Sequence, residues 1–303
     1  MSDSPDKMKV AILGSGNIGT DLLVKVLRSP WLECSLFVGR NLHSPGMVKA
    51  HSMGVPISDR SIDAILDNPE CCELVFDATS ASDHKRHWPL LSELDIRTID
   101  LTPSKVGKMC IPAVNLEECL DSRNVNMVSC GGQTSIPLAY AIGQTLQAKY
   151  VEVVSSIASR SAGSATRINL DEYIETTEQG LAAFSGCDRT KVILNLNPAE
   201  PCVDMQTTIS VLADKPDLAR VIPAVEAMVA RIQQYVPGYQ LLVKPRMETN
   251  RIVTMVKVQG AGDYLPRYAG NLDIINCAAL AAAEAFASRR YSSPAPSRDS
   301  RHE

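Results

Sequence analysis

Lys9-Val10-Ala11-Ile12-Leu13-Gly14-Ser15-Gly16-Asn17-Ile18-Gly19 is the stretch on which the reading of this chain turns. Lys9–Leu13 has the apolar, β-branched character of a short strand, and Asn17–Arg28 places Ile18, Leu22, Leu23 and Val26 on one helical face. Between them the glycines follow the spacing G-x-G-x-x-G. Alone that spacing is weak; after a strand and opening a helix it marks a dinucleotide-binding turn. Gly14 allows the tight turn, Gly16 lets backbone approach a pyrophosphate, and Gly19 lets the helix lie close on the strand. The helix N-terminus adds amide donors and partial positive charge for phosphates.

The pattern repeats outward from this unit. Cys34–Val38, Leu74–Asp77, Arg97–Leu101 and Val125–Ser129 read as further strands separated by helical segments, the signature of a parallel sheet covered on both faces. An acidic ribose-binding residue is expected at the end of the second strand. Gly39-Arg40 stands there instead. Arg40 either faces a 2′-phosphate, which permits NADP, or is a solvated surface arginine, and the residues leave NAD against NADP open.

Beyond about residue 150 the period changes. Tyr150–Ser159 alternates, with Val151, Val153 and Ile157 on one face, and Val192–Leu196, Met205–Leu212 and Arg251–Val258 are further strand candidates. Helices are expected near Asp171–Phe184 and Asp217–Gln234. The fold class is α/β: an N-terminal Rossmann doubly wound parallel sheet, then a mixed α/β catalytic and dimerisation domain with a one-faced sheet. The expected division is 1–130 for dinucleotide binding, 131–270 for catalysis and oligomerisation, and an apolar helix 271–287 returning to the first domain. Residues 288–303, rich in Ser, Pro and alternating charge, are expected to be disordered.

The chain has 303 residues, 45 % hydrophobic and 21 % charged, with a formal charge of −4. That balance argues against a general nucleic-acid binder, and no apolar run reaches the roughly 20 residues needed to span a bilayer. The polar start Met1–Lys7 predicts no signal peptide. The 9 cysteines lack paired spacing, which fits reduced thiols in the cytoplasm and supports no metal site.

Cys130 stands apart from the other cysteines. Val125–Ser129 leads into Cys130-Gly131-Gly132-Gln133, and a helix is expected over Ser135–Leu146, interrupted early by Pro137. Ligands of doubly wound folds sit beyond the carboxyl ends of the strands, and a thiol at a helix N-terminus there is expected to ionise more readily. The glycines leave room for substrate and offer amides to an oxyanion. A nicotinamide beside a nucleophilic thiol suggests aldehyde oxidation through a thiohemiacetal and an acyl-thioester, with water, phosphate or a thiol as acceptor. Among His43, His51, His84, His87 and His302 none presents itself as a base, and His84 and His87 read as surface helix residues.

Ile12–Leu22, Cys130–Gln133, Asn197-Pro198-Ala199-Glu200-Pro201 and Gly270-Asn271-Leu272-Asp273-Ile274 together resemble the acylating acetaldehyde dehydrogenases of meta-cleavage pathways for aromatic compounds, from about residue 8 to 287. The resemblance implies conversion of acetaldehyde, NAD and coenzyme A to acetyl-coenzyme A and NADH, with Cys130 as acyl carrier. It implies that Ser15, Gly16, Asn17 and Ile18 line the cofactor phosphates. Ser161, Ala162, Gly163, Ser164, Ala165, Thr166, Arg167, Ile168 and Asn169, with Asn271, would touch the dinucleotide near its reactive end. It also implies a homodimer core and a heterotetramer with a metal-dependent 4-hydroxy-2-oxovalerate aldolase, which passes acetaldehyde through a tunnel.

Two segments depart from the family pattern. S-A-G-P-G-T-R becomes Ser161-Ala162-Gly163-Ser164-Ala165-Thr166-Arg167, and M-R-D-T becomes Met205-Gln206-Thr207-Thr208. The family aspartate replaced by Thr207 is thought to help deprotonate coenzyme A, and a threonine cannot act as a carboxylate base. Asp204 would point to the opposite face of a strand, and Asp171 reads as an acid in a helix's first turn. Two alternatives therefore stand beside the leading reading: an aldehyde dehydrogenase with another acyl acceptor, and a weakly catalytic NAD-binding subunit of an aldolase.

Overall fold

The computed structural model describes residues 7–214 and 216–291. Seven strands form the first sheet: β1 (Met8–Leu13), β2 (Leu32–Val38), β3 (Ile57–Ser58), β4 (Leu74–Asp77), β5 (Arg97–Asp100), β6 (Lys108–Met109) and β7 (Asn124–Asn126). Their order is β3-β2-β1-β4-β5-β7-β6, and every pairing is parallel. The order reverses at β1, which places a crevice between the loops after β1 and β4. Val10, Ala11 and Ile12 are fully buried in succession, as a strand covered on both faces requires. Helices α1 (Asn17–Val26), α2 (Pro45–Ser52), α3 (Asp63–Leu66), α4 (Ala81–Glu93) and α5 (Pro112–Cys119) connect these strands.

The chain then enters α6 (Cys130–Gly143), which begins five residues before the expected Ser135. The Ser129 side chain accepts from the Gly132 amide at 2.8 Å and caps the helix there. Gly131 and Gly132, expected to precede the helix, and Pro137, expected to interrupt it, all lie within it. The second sheet contains β8 (Ala148–Ala158), β9 (Thr190–Asn197), β10 (Met205–Ala213), β11 (Tyr239–Glu248) and β12 (Arg251–Val258), in the order β11-β12-β10-β8-β9. Only β8 with β9 is parallel, so the sheet is mixed. Burial alternates strictly along β10, the mark of a sheet with one packed face. Strand β11 was not legible in sequence: it is an edge strand carrying Pro245, with two irregularities in its pairing to β12.

Helices α7 (Ser164–Ile168), α8 (Leu170–Ser185) and α9 (Leu218–Gln233) accompany this sheet. Gly186 ends α8 in the left-handed conformation at φ +69°, and Asp217 caps α9 through the Ala219 amide. Finally α10 (Gly270–Tyr291) packs against α1, α5 and α6. It runs through residues 288–291, which were expected to be disordered; residues 292–303 lie outside the described residues. Among the described residues no helix is long and apolar enough to cross a membrane.

Candidate active site

Three adjacent parallel strands end on a row of register partners, Asp77 on β4, Asp100 on β5 and Asn126 on β7. Each side chain folds onto the loop that follows it. Asp77 Oδ1 accepts the Thr79 amide at 3.1 Å, Asp100 Oδ1 the Thr102 amide at 2.7 Å, and Asn126 Oδ1 the Val128 amide at 2.9 Å. The third of these bonds holds Val128 at φ +62°, a strained conformation for a β-branched residue. The turn it creates delivers Ser129 as helix cap and Cys130 as the first residue of α6.

Cys130 lines a cleft with Ile18, Ala78, Thr79, Leu101, Thr102, Pro103, Ser129, Thr166, Asn169, Tyr173, Leu272 and Ile275. The loops after β1, β4, β5 and β7 thus meet α8 and α10 around one sulfur. The expectation of a readily ionised thiol is not met in this resting cleft. Burial pushes Cys130 up to about 11, against lowering contributions from the Tyr173 hydroxyl and the amides of Gly131 and Cys130. The amide of Gly132 is already committed to the Ser129 cap, so it is not free for an oxyanion.

The glycine loop keeps the geometry its spacing requires. Gly14 adopts φ +117°, and a Cβ there would lie 2.5 Å from the Ala78 carbonyl oxygen. A Cβ on Gly19 would lie 1.9 Å from the Gly14 carbonyl oxygen, whereas one on Gly16 meets nothing within 4 Å. Gly14 and Gly19 are demanded by packing, and Gly16 leaves an open approach. Gly16 at the N-cap of α1 brings no side-chain cap and no acid occupies the first turn, which leaves its leading amides for a ligand. Asn271, fully buried at the start of α10, has no hydrogen-bond partner for either Nδ2 or Oδ1 among the described residues. An uncapped helix end, an open glycine and an orphaned carboxamide fit a dinucleotide with an amide-bearing ring.

The predicted site residues divide into several groups. Ile18, Cys130, Thr166 and Asn169 line the cleft. Gly16 and Asn17 are exposed at the head of α1, and Ser15 Oγ lies 3.3 Å from Ser44 Oγ. In the middle loop Ser161 Oγ donates to the Ala158 carbonyl at 2.8 Å, and Arg167 turns back to the Ala162 and Ser159 carbonyls, both at 3.0 Å. These residues and buried Ala162 shape the loop, while Gly163 is half-buried. Ile168 points into solvent at 78 % exposure. The Ser164 and Ala165 side chains lie outside the described residues. Arg40 is exposed, and Asp171 is exposed in the first turn of α8. Asp204 faces away from Thr207 and sits 3.7 Å from Lys257 Nζ.

His84 and His87 are a correction. Both lie on α4, but they are buried rather than on the surface. Their Nδ1 atoms lie 3.0 and 2.9 Å from Asp77 Oδ2, and Asn124 Nδ2 lies 3.1 Å from His84 Nε2. A carboxylate buried at a strand end needs such partners. Burial disfavours the Asp77 anion, yet the two histidines hold its carboxyl down at about 2. His84 is raised despite burial, by Asp77 and Asp100. Asp100 is pushed up to about 6 by burial and by Asp77, with His84, Ser104 and Thr102 opposing.

Sequence reasoning missed Thr79, Thr102, Pro103, Leu272, Ile275 and Tyr173. For the two threonines a signal exists: Asp-x-Thr recurs at the ends of β4 and β5. Tyr173 carries no such signal, being one aromatic residue on an amphipathic helix.

Comparison with known proteins agrees with this architecture. Residues 130–266 match the family described as prokaryotic acetaldehyde dehydrogenase, dimerisation. A protein of Pectobacterium atrosepticum named acetaldehyde dehydrogenase is 59 % identical over 294 residues, covering 96 % of this chain and 99 % of the relative. One of Spirochaeta aurantia with the same name is 61 % identical over 281 residues, covering 92 % and 95 %. Among solved structures, aspartate semialdehyde dehydrogenase with NADP from Candida albicans superposes with a TM-score of 0.62 at 10 % identity, covering 91 % of this chain and 99 % of that one. That likeness concerns the fold. With identity this high over nearly the whole length of both chains, the protein belongs to the acetaldehyde dehydrogenase family and is an oxidoreductase acting on an aldehyde.

Proposed function

We propose that this protein is a coenzyme A-acylating aldehyde dehydrogenase that converts acetaldehyde, NAD and coenzyme A to acetyl-coenzyme A and NADH. The observation that carries the reading is the position of Cys130, at the head of α6 in a cleft shared with Ile18 of the glycine loop and Leu272 and Ile275 of α10. Ser15, Gly16, Asn17 and Ile18 would hold the phosphates, and Thr166, Asn169 and Asn271 would meet the reactive end. We take residues 1–130 with 271–287 as the dinucleotide unit and 131–270 as the catalytic and dimerisation unit. A bound nicotinamide supplies the hydride acceptor at this site. The Cys130 sulfur attacks the aldehyde carbon to give a thiohemiacetal, and after oxidation it carries the acyl group as a thioester until a thiol removes it. Leu101, Pro103, Leu272 and Ile275 in the lining of the cleft would limit the approach of water to that thioester.

The family resemblance further supports a homodimer through the second sheet, a partnership with a 4-hydroxy-2-oxovalerate aldolase, a place in aromatic catabolism and a cytoplasmic location. Thr207 supports a second reading, transfer to another acceptor. It is fully buried with its hydroxyl 2.9 Å from Ser155 Oγ, and a hydroxyl stands where the family pattern has a carboxylate.

Mass spectrometry after incubation with acetaldehyde and NAD, without coenzyme A, tests the first half-reaction. The expected result is an acetyl group on the Cys130 peptide, discharged by coenzyme A and not by phosphate. Sustained NADH formation by Cys130→Ala would overturn the nucleophile, and discharge by phosphate or water alone would establish the second reading.

A further inference from the structure

The phenol of Tyr173, on α8, lines the cleft beside Cys130. Its hydroxyl is completely buried and has no hydrogen bond of standard geometry among the described residues. The Cys130 sulfur, the Gly131 amide and the Ser155 hydroxyl surround it. Space for that oxygen exists because residue 131 is a glycine: a Cβ there would lie 2.0 Å from the Tyr173 oxygen and 3.7 Å from Ser155 Oγ. Ser155 lies on the packed face of β8, and its Oγ is 2.9 Å from Thr207 Oγ1 on β10. The two residues are register partners, and both are fully buried.

None of the described residues lining the cleft is charged. Asp77, His84 and Asp100 lie behind its wall, satisfied by one another and by Ser104, Thr102 and Asn126. A sulfur ionising here therefore meets no imidazole or ammonium within the cleft. What it meets is a phenol whose donor is unused. An unmet buried donor is unfavourable, and an anion beside it removes the penalty while gaining a charge-assisted bond. Catalytic hydrogen bonds that are poorly aligned in a resting site commonly tighten once the charge develops.

We propose that Tyr173 is a catalytic hydrogen-bond donor to the Cys130 sulfur in its anionic form, with Ser155 and Thr207 as positioning residues whose hydroxyls donate in sequence toward the phenol oxygen. Every hydroxyl keeps its hydrogen, so no proton travels along the row. Each donor polarises the next, and the row ends on sulfur. A threonine suits the far end of such a row because its hydroxyl donates to Ser155, which an ionised carboxylate cannot do.

The proposal rests on Cys130 as nucleophile, and its test does not depend on turnover. Iodoacetamide labelling of Cys130, read on its own peptide across pH in the full-length chain without cofactor, reports the ionisation of that thiol. In Tyr173→Phe the profile is expected to move to higher pH by about one unit, slowing labelling near neutrality about tenfold. Thr207→Val and Ser155→Ala should move it less in the same direction, and Thr207→Ser should keep the wild-type profile. Tyr173→Phe loses a single buried oxygen, so its thermal unfolding should match or exceed that of the wild type. A Tyr173→Phe profile that coincides with the wild type overturns the donor, and a Thr207→Val profile that matches Thr207→Ser overturns the row. Turnover by Cys130→Ala would instead remove the nucleophile reading, a result the labelling profile cannot mimic.

Discussion

Asn271 holds a carboxamide in a fully buried position with neither of its polar atoms bonded among the described residues. Leaving such groups unmet costs about 1–3 kcal/mol, whereas an apolar residue of the same shape is neutral or stabilising. A protein that keeps the amide there gains something other than stability, and the adjoining cleft residues Leu272 and Ile275 say where to look. Asn271→Leu is expected to raise the melting temperature of the cofactor-free protein by a few degrees while weakening NAD binding about tenfold or more. Thermal unfolding with and without NAD measures both effects in one series. A variant that gains stability and binds NAD as before would leave the orphaned amide without a ligand.

At the scale of elements, the row Asp77, Asp100 and Asn126 ties three strand ends to the loops that wall the cleft. Asp77 also anchors α4 through His84 and His87. Its carboxyl is held at about 2 against an ordinary 3.8, so its contribution is complete above 3.8 and is lost as pH falls toward 2. His84 acts with the opposite sign: raised above 6.5, it contributes fully below that value and loses its contribution as pH rises through the higher one. Asp77→Asn keeps an acceptor for the Thr79 amide but removes the charge. It is expected to cost about 3–5 kcal/mol at neutral pH, since two buried imidazoles lose their partner. Urea unfolding between about pH 2 and pH 7 should show a shallower acid limb for the variant. Parallel acid limbs for the two proteins would show that Asp77 is not the group responsible.

For the whole molecule, the join between the glycine-loop helix and the C-terminal helix runs through one buried ammonium. Lys25 on α1 is 2.8 Å from Asp21, 2.8 Å from Asp273 on α10 and 3.2 Å from Asp263, and it is only 7 % exposed. Burial disfavours its charge, but Asp273 and Asp21 outweigh that and raise its affinity for the proton. Asn276 completes the join, with Nδ2 bonded to the Ile18 carbonyl at 3.1 Å and to Asp21 at 2.9 Å. Lys25→Met leaves Asp21 and Asp273 facing one another without their cation, while Asp263 keeps Arg28 at 2.6 Å, and is expected to destabilise by about 3–5 kcal/mol. Hydrogen exchange should then rise in α1 and α10 before it rises in the second sheet. Uniform loss of protection would mean that Lys25 stabilises the fold without specifically joining the two helices.

Read by itself, the sequence determined the glycine turn between β1 and α1, the parallel sheet, the alternating one-faced strands and Cys130 as the thiol to watch. These follow from spacing within a few residues, where period and turn chemistry act directly on the backbone. It did not determine what surrounds the sulfur. Tyr173 reaches Cys130 because α8 packs on α6 across a glycine, and Thr207 reaches Ser155 because β10 pairs with β8 in one register. His84 and His87, on a helix as polar as α4, read as surface residues until Asp77 is placed beneath them. The resistance of the Cys130 thiol to ionisation is likewise a property of burial. Partners distant in the chain are chosen by packing and strand register, and so only the tertiary structure decided them.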